Sequence, residues 1–193
     1  MSTATFSLGS ENTIKNLLTA YQGEMNAQAK YRNFAAQADA EGLHGVGSLF
    51  RAAARAEQIH ANAQARAIRH LGGTATAVIE LTRVGHTLEN LNNALDGENY
   101  EIAVVYPAFI EEASARINAM AARSFQWALE AERTHARLYG DAICLLERNR
   151  TDTWIGVSQE FSVCPVCACT SLEKQAENCI VCNYPADRAE TIR

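Results

Sequence analysis

The chain has 193 residues, 48% apolar and 20% charged, with 17 basic against 22 acidic side chains and a formal charge of −5. That length admits one domain, or one with a small appendage, and the composition excludes disorder and fibrous repeats. With no basic stripe, no run of about 18 apolar residues and no basic or hydrophobic leader in Met1–Asn16, the chain is expected to be cytoplasmic, with neither nucleic acid nor membrane as partner.

In chain order, apolar positions fall at helical spacing from Ser10 to about Ala40, through Ile14, Leu17, Tyr21, Gln28, Tyr31 and Ala35, with Ser10 as the expected N-cap. Gly42, Gly45 and Gly47 interrupt that pattern. A second helix is predicted from about Val46 to His70, ended by Gly72 and Gly73. Thr74–His86 is too long for a hairpin between neighbours. A third helical stripe runs from Leu88 through Leu91, Leu95, Ile102 and Val105 to Phe109, and a fourth from Ile117 to Leu145. Only Pro107 precedes residue 160. The prediction is an all-α four-helix bundle over residues 1–150, with a long crossover between helices 2 and 3. Residues 151–162 read as a linker, and residues 163–193 as a small β/loop domain.

Polar residues interrupt the stripes where burial is expected. Glu24 stands seven residues after Leu17 and seven before Tyr31. Glu57 and His60 sit mid-helix in Ala56-Glu-Gln-Ile-His-Ala61, and Glu132 and His135 in Ala131-Glu-Arg-Thr-His-Ala136. Glu98 lies between Leu95 and Ile102, with Glu101 one turn on. A buried, unpartnered carboxylate is very costly, so several facing one interior require cations. Glu-x-x-His puts two ligands one turn apart on one face. Any one of these glutamates alone reads as a solvated face, as do His44, His70, His86, Glu41, Glu111, Glu112 and Glu130. Six residues at one depth of four helices read as a site. Carboxylate and imidazole ligands without thiolate suit iron or manganese.

The halves repeat. Gly23-Glu24 precedes Glu57 by 33 residues from the glutamate, and Gly97-Glu98 precedes Glu132 by 34. Tyr31 follows Glu24 by seven, whereas Tyr106 follows Glu98 by eight. The pattern is a duplicated helix pair. The charge of −5 equals the number of glutamates in the constellation, so it reads as buried charge met by cations rather than as an acidic surface.

In the tail, Cys164-Pro-Val-Cys167 is followed after eleven residues by Cys179-Ile-Val-Cys182. Two such knuckles make a four-thiolate metal site, and a metal supplies the folding free energy that a segment of about 30 residues lacks. Spacing does not choose iron or zinc. Cys144 reads as a small core residue and Cys169 as a spectator.

Taken together, these motifs resemble the rubrerythrin family, a ferritin-like di-iron bundle followed by a rubredoxin-like domain, over about Ser10 to Arg193. The resemblance implies two iron ions in the bundle, bridged by Glu57 and Glu132. Glu24 would hold one iron, and Glu98 and His135 the other. Glu101 and His60 would be alternative ligands of the first, with Tyr31 and Tyr106 nearby. It implies a peroxidase that reduces hydrogen peroxide to water, with Glu101 or a tyrosine as proton donor. Electrons would come from an electron-donor protein or reductase through one iron (or zinc) in the four-cysteine site. The expected assembly is a homodimer or higher, with one subunit's tail able to serve its partner's bundle. Ala168 and Asn183 stand where rubredoxin-like knuckles usually carry glycine. The competing readings are a ferroxidase or iron-binding protein of the ferritin superfamily, and a zinc-ribbon protein with an inert bundle.

Overall fold

The computed structural model describes residues 8–115, 118–175 and 177–193. Helix α1 spans Leu8–Ala40, α2 His44–His70, α3 Thr87–Tyr100, α4 Tyr106–Ala115 and α5 Ala119–Glu147. Ser10, expected as an N-cap, lies inside α1. Ile117, the expected start of the fourth helix, lies outside the described residues. Asn118 caps α5 instead, its side chain accepting from the Ala121 amide at 3.2 Å.

The α1–α2 turn closes on Gly42 at φ 77°, while Leu43 N–H returns to Ala38 O at 2.9 Å. Only a residue without Cβ takes that backbone cheaply. The crossover then runs the length of α1. Gly73 lies beside Ile14, the Gln22 side chain bonds both N–H and C=O of Val78, Asn26 accepts from Glu80 N–H, and Glu41 accepts from Thr87 N–H. Helix α3 therefore starts at the far end of α1 and runs antiparallel to it, as a long crossover demands.

The third stripe is not one regular helix. Glu101–Val105 forms a π turn between α3 and α4, in which Tyr106 N–H donates to Glu101 O. Pro107 follows at once; it has no N–H for the Ala103 carbonyl and its ring crowds that carbonyl in a regular helix, which a widened turn relieves. The extra residue also explains the spacing. Eight residues through a π turn carry Tyr106 to the position relative to Glu98 that seven regular residues give Tyr31 relative to Glu24.

After α5 the chain packs closely. Trp154–Gly156 forms a 3-10 turn with Ile155 fully buried, and Trp154 meets Phe161 edge-on at 6.0 Å. A Cβ at Gly45 would lie 1.8 Å from Trp154 O, so the glycine lets this segment cross α2. The tail folds as a three-stranded antiparallel sheet in the order β2-β1-β3: β1 is Phe161–Val163, β2 Thr170–Ser171 and β3 Glu190–Ile192. Phe161 and Val163 join Phe34, Phe50 and Tyr139 in one core, so the tail seats on its own bundle. Arg55 fixes it with a two-pronged bond to Glu190 at 2.5 and 2.7 Å. No described helix is long and apolar enough to cross a membrane.

Candidate metal centres

Glu24 projects from α1, Glu57 and His60 from α2, Glu98 from α3, and Glu132 and His135 from α5; none is more than 3% exposed. They form a polar layer between two apolar clusters, one around Phe34, Phe50 and Tyr139, the other around Leu17, Tyr106 and Phe125. Ligand atoms of Glu24, Glu57, His60 and Glu132 lie within 4.8 Å of one another, as do those of Glu57, Glu98, Glu132 and His135. The two groups share Glu57 and Glu132. Two four-ligand positions with two carboxylates in common are the geometry of a pair of metal ions with bridging glutamates.

Each imidazole turns Nδ1 inward. His60 Nδ1 lies 3.1 Å from Glu57, 3.0 Å from Glu132 and 3.6 Å from Glu24. His135 Nδ1 lies 2.8 Å from Glu132, 3.7 Å from Glu57 and 3.9 Å from Glu98. Glu24 Oε2 and Glu132 Oε1 accept no well-formed hydrogen bond although both are buried. Lone pairs left converging in a dry interior fit cations.

The protonation pattern agrees. Burial, with Glu132 beside them, pushes Glu57 and Glu98 well above the usual carboxylate range. Burial opposes charge at His60 too, but Glu132 and Glu24 outweigh it and raise the imidazole. Burial likewise works against the Glu132 carboxylate, yet His60 and His135 hold it down at about 2. Protons do here what metal cations would do better.

The tyrosines are reciprocal. Tyr31, from the first half, donates to Glu98 at 2.6 Å, and Tyr106, from the second, donates to Glu24. Burial, with those carboxylates, raises both phenols well above their ordinary value. Glu101 stands beside the cluster rather than in either ligand group. It lines a cavity with Glu57 and Glu98, and a Cβ at Gly23 would sit 3.8 Å from its Oε1. Burial and then Glu24 raise its carboxyl well above the usual range.

Three participants escape the sequence reading. Gln64 donates to Glu24 at 2.8 Å. Tyr139 is fully buried, its ring 5.8 Å from the Tyr31 ring. Thr170, on β2, places its hydroxyl 3.1 Å from His135 Nε2. The Thr170 hydroxyl donates to Ala168 O at 2.9 Å, so its oxygen accepts from His135 Nε2–H and leaves the Nδ1 lone pair for a metal. Helical position could have pointed to Gln64 and Tyr139, four residues after His60 and His135. Nothing local marks Thr170.

In the tail, Cys164 and Cys182 have sulfurs 3.5 Å apart, and Cys167 and Cys179 3.4 Å. Disulfide sulfurs lie about 2.05 Å apart, whereas tetrahedral thiolates at about 2.3 Å from a metal lie near 3.8 Å from each other. The pairs are free thiols grouped about one point. A hydrogen bond from Cys167 pulls the Cys164 thiol down to about 5, with backbone amides of the knuckle adding to it. Ala168 and Asn183 both adopt left-handed backbone, at φ 64° and 61°, and their N–H groups return to Cys164 and Cys179 carbonyls at 2.9 and 2.8 Å. The knuckle turn is kept without glycine.

A family model described as Rubrerythrin matches residues 15–143. The chain belongs to the rubrerythrin family. It is 33% identical over 186 residues to Rubrerythrin-2 of Clostridium acetobutylicum, covering 91% of this chain and 97% of that protein. It is 31% identical to Nigerythrin of Nitratidesulfovibrio vulgaris, covering 91% and 84%. A solved structure of nigerythrin, described as fully reduced and all ferrous, superposes with a TM-score of 0.83 at 30% identity over 99% of this chain and 91% of that one. A bacterioferritin from Desulfovibrio desulfuricans shares the fold at a TM-score of 0.72 and 20% identity, over 89% of this chain and 96% of that one. This rubrerythrin-family chain is thus a di-iron protein with a ferritin-like bundle and a four-cysteine group able to bind one further metal.

Proposed function

We propose that the protein is a peroxidase that reduces hydrogen peroxide to water, receiving electrons through the four-cysteine centre. The observation that carries this reading is the path from tail to bundle within one chain. It runs from the Cys167 peptide through Ala168 O and the Thr170 hydroxyl to the His135 ring. Thr170 N–H also donates to Thr134 Oγ1 at 3.2 Å, so β2 is held against α5 beside the ligand. A thiolate centre wired to an imidazole ligand suits delivery of electrons, which iron storage does not need.

Two ferrous ions, when bound, supply one electron each to a two-electron oxidant. Glu57 and Glu132 would hold both ions, Glu24 and His60 one, and Glu98 and His135 the other. Tyr31 and Tyr106 orient the outer carboxylates by donating to them, and their raised values keep the protons on the phenol oxygens. The aromatic cluster of Tyr31, Phe34, Phe50 and Tyr139 excludes water on one side. Glu101 holds a proton on the cavity wall, within reach of an incoming oxidant and outside the ligand groups, which suits a proton donor. Its place next to Gly23 and the first half-site also suits exchange with His60 as a ligand.

The test is anaerobic. The iron-loaded protein is reduced, and one equivalent of hydrogen peroxide or oxygen is added while the near-ultraviolet absorption is followed. Peroxide is expected to reoxidise the protein well ahead of oxygen; a reduced protein indifferent to peroxide overturns the reading.

A further inference from the structure

A groove of about 680 Å³ lies outside the metal layer, between the C-terminal half of α2 and the first turns of α5. That falls within the roughly 300–1,000 Å³ that houses cofactors and other small organic ligands. Its charge is one-sided. The chain carries a formal −5, yet none of the residues lining this groove is acidic, and both walls are basic, with Arg66 and His70 on α2 and Arg123 on α5. Neither arginine forms an ion pair with a described carboxylate. The positive end of α5 opens into the same space, where Ala119 and Met120 line the groove beside the Asn118 cap. Two guanidinium groups and a helix N-terminus sharing one groove without a counter-charge fit a phosphate.

The groove also has an aromatic wall. Trp127 lines it, with the Arg123 guanidinium 5.9 Å from its ring centroid. Trp127 is only partly buried, and it packs against the cluster of Cys164, Cys167, Cys169 and Cys179. One side chain thus touches both the groove and the four-cysteine unit. A planar ring stacked on Trp127 would lie one side chain away from the thiolates. Electron count narrows the kind of ring. A four-thiolate iron takes one electron at a time. A reduced nicotinamide gives up a hydride, a pair in one step, whereas a reduced flavin also does one-electron chemistry.

We propose that this groove binds a phosphate-bearing flavin of the size of flavin mononucleotide, its phosphate on Arg66 and Arg123 and its ring on Trp127, and that the bound flavin reduces the four-cysteine iron. One reduced flavin anion yields oxidised flavin, two electrons and one proton. The electrons pass singly, each converting ferric four-thiolate iron to ferrous, and the proton leaves to solvent through the open groove. The assignment rests on the electron-delivery reading of the tail and adds to it the source of the electrons.

The experiment uses the full, iron-loaded chain. Equilibrium dialysis against oxidised flavin mononucleotide reads binding, with riboflavin, which lacks the phosphate, as the companion ligand. One flavin mononucleotide per chain is expected, with riboflavin bound about tenfold more weakly for want of its charge-assisted bonds. R66Q and R123Q are each expected to weaken flavin mononucleotide about threefold, the size of an exposed charge pair, and to leave riboflavin unchanged. Photoreduced flavin mononucleotide is then mixed anaerobically with the oxidised protein, and the bleaching of the ferric four-thiolate colour is followed. The double variant R66Q/R123Q is expected to slow that bleaching about tenfold at low flavin, as two such pairs imply. No saturable binding to wild type overturns the assignment. So do equal affinities for the two flavins, or equal affinities for flavin mononucleotide in wild type and the double variant. Equal bleaching rates in wild type and the double variant overturn the groove as the point of electron entry. Peroxide enters neither measurement, so the peroxidase reading survives each of these failures.

Discussion

His60 and His135 occupy equivalent positions on α2 and α5, each three residues after a shared glutamate, yet only His135 has a partner for its outer nitrogen. Thr170 of the tail anchors the His135 ring, while His60 Nε2 finds no hydrogen-bond partner among the described residues. Glu101 lies beside the Glu24–His60 half-site with no counterpart on the other side, where Ala27 is its equivalent and Lys30 takes the space. Duplication supplied two similar four-ligand groups, and the surroundings then anchored the histidine of one and left that of the other free at its outer nitrogen. The anchored one faces the four-cysteine tail. The other has Glu101 beside it, outside both ligand groups.

Removing a shared ligand should break both halves at once. E132A is expected to reduce bound iron from two per chain to less than one in the bundle, by metal analysis, whereas E24A should keep about one. Two bundle irons in E132A would refute the bridging geometry. The next largest effect concerns the anchored histidine. T170V leaves the His135 Nε2–H buried without an acceptor, which costs about 1–3 kcal/mol and about 10–100-fold in metal affinity. Denaturant unfolding and competition with a chelator read these. A T170V protein as stable as wild type would show that the anchor is incidental.

pH sharpens the comparison without mutation. In metal-free protein Glu57, Glu98, Glu101 and His60 are all raised, so their contribution to stability is complete below the unfolded values and is lost as pH climbs through the folded ones. Glu132, held at about 2, works the other way: its contribution is present above 4.5 and lost as pH falls towards 2. Glu132 is therefore constant between pH 5 and pH 8, and the four raised groups predict that metal-free protein melts at lower temperature at pH 8 than at pH 5. Iron loading should release protons and flatten that trend, and calorimetry at the two values checks it. The smallest expected effect is in the tail. A168G relieves a left-handed alanine and should raise the melting temperature of the four-cysteine unit by an amount worth about 0.5–1 kcal/mol. No gain would mean that the alanine methyl earns its place by packing, since it is fully buried.

Much of the site is legible in the sequence because helices turn spacing into direction. Glu24, Glu57, His60, Glu98, Glu132 and His135 announce themselves as charge on apolar stripes, and the two Glu-x-x-His motifs need only the 3.6-residue period to be placed. The paired knuckles are legible because thiolate spacing reflects the metal. The eight-residue step from Glu98 to Tyr106 is visible as an irregularity, but a π turn is the product of Pro107 and packing together, and propensity alone gives no such turn. Thr170 lies 35 residues from His135, Lys30 is one cation among several, and Tyr139 looks like ordinary core.

What the sequence by itself determined is the helix periodicity, the ligand set and the thiolate knuckles, because each depends on neighbours within a turn or two of chain. Only the tertiary structure decided which glutamates are shared, which histidine is anchored, and which tyrosine donates to which outer carboxylate. Those relations join α1 to α3, α2 to α5 and the tail to the bundle. They exist only once burial has brought distant segments within a few ångströms and removed the water that would otherwise have satisfied each group separately.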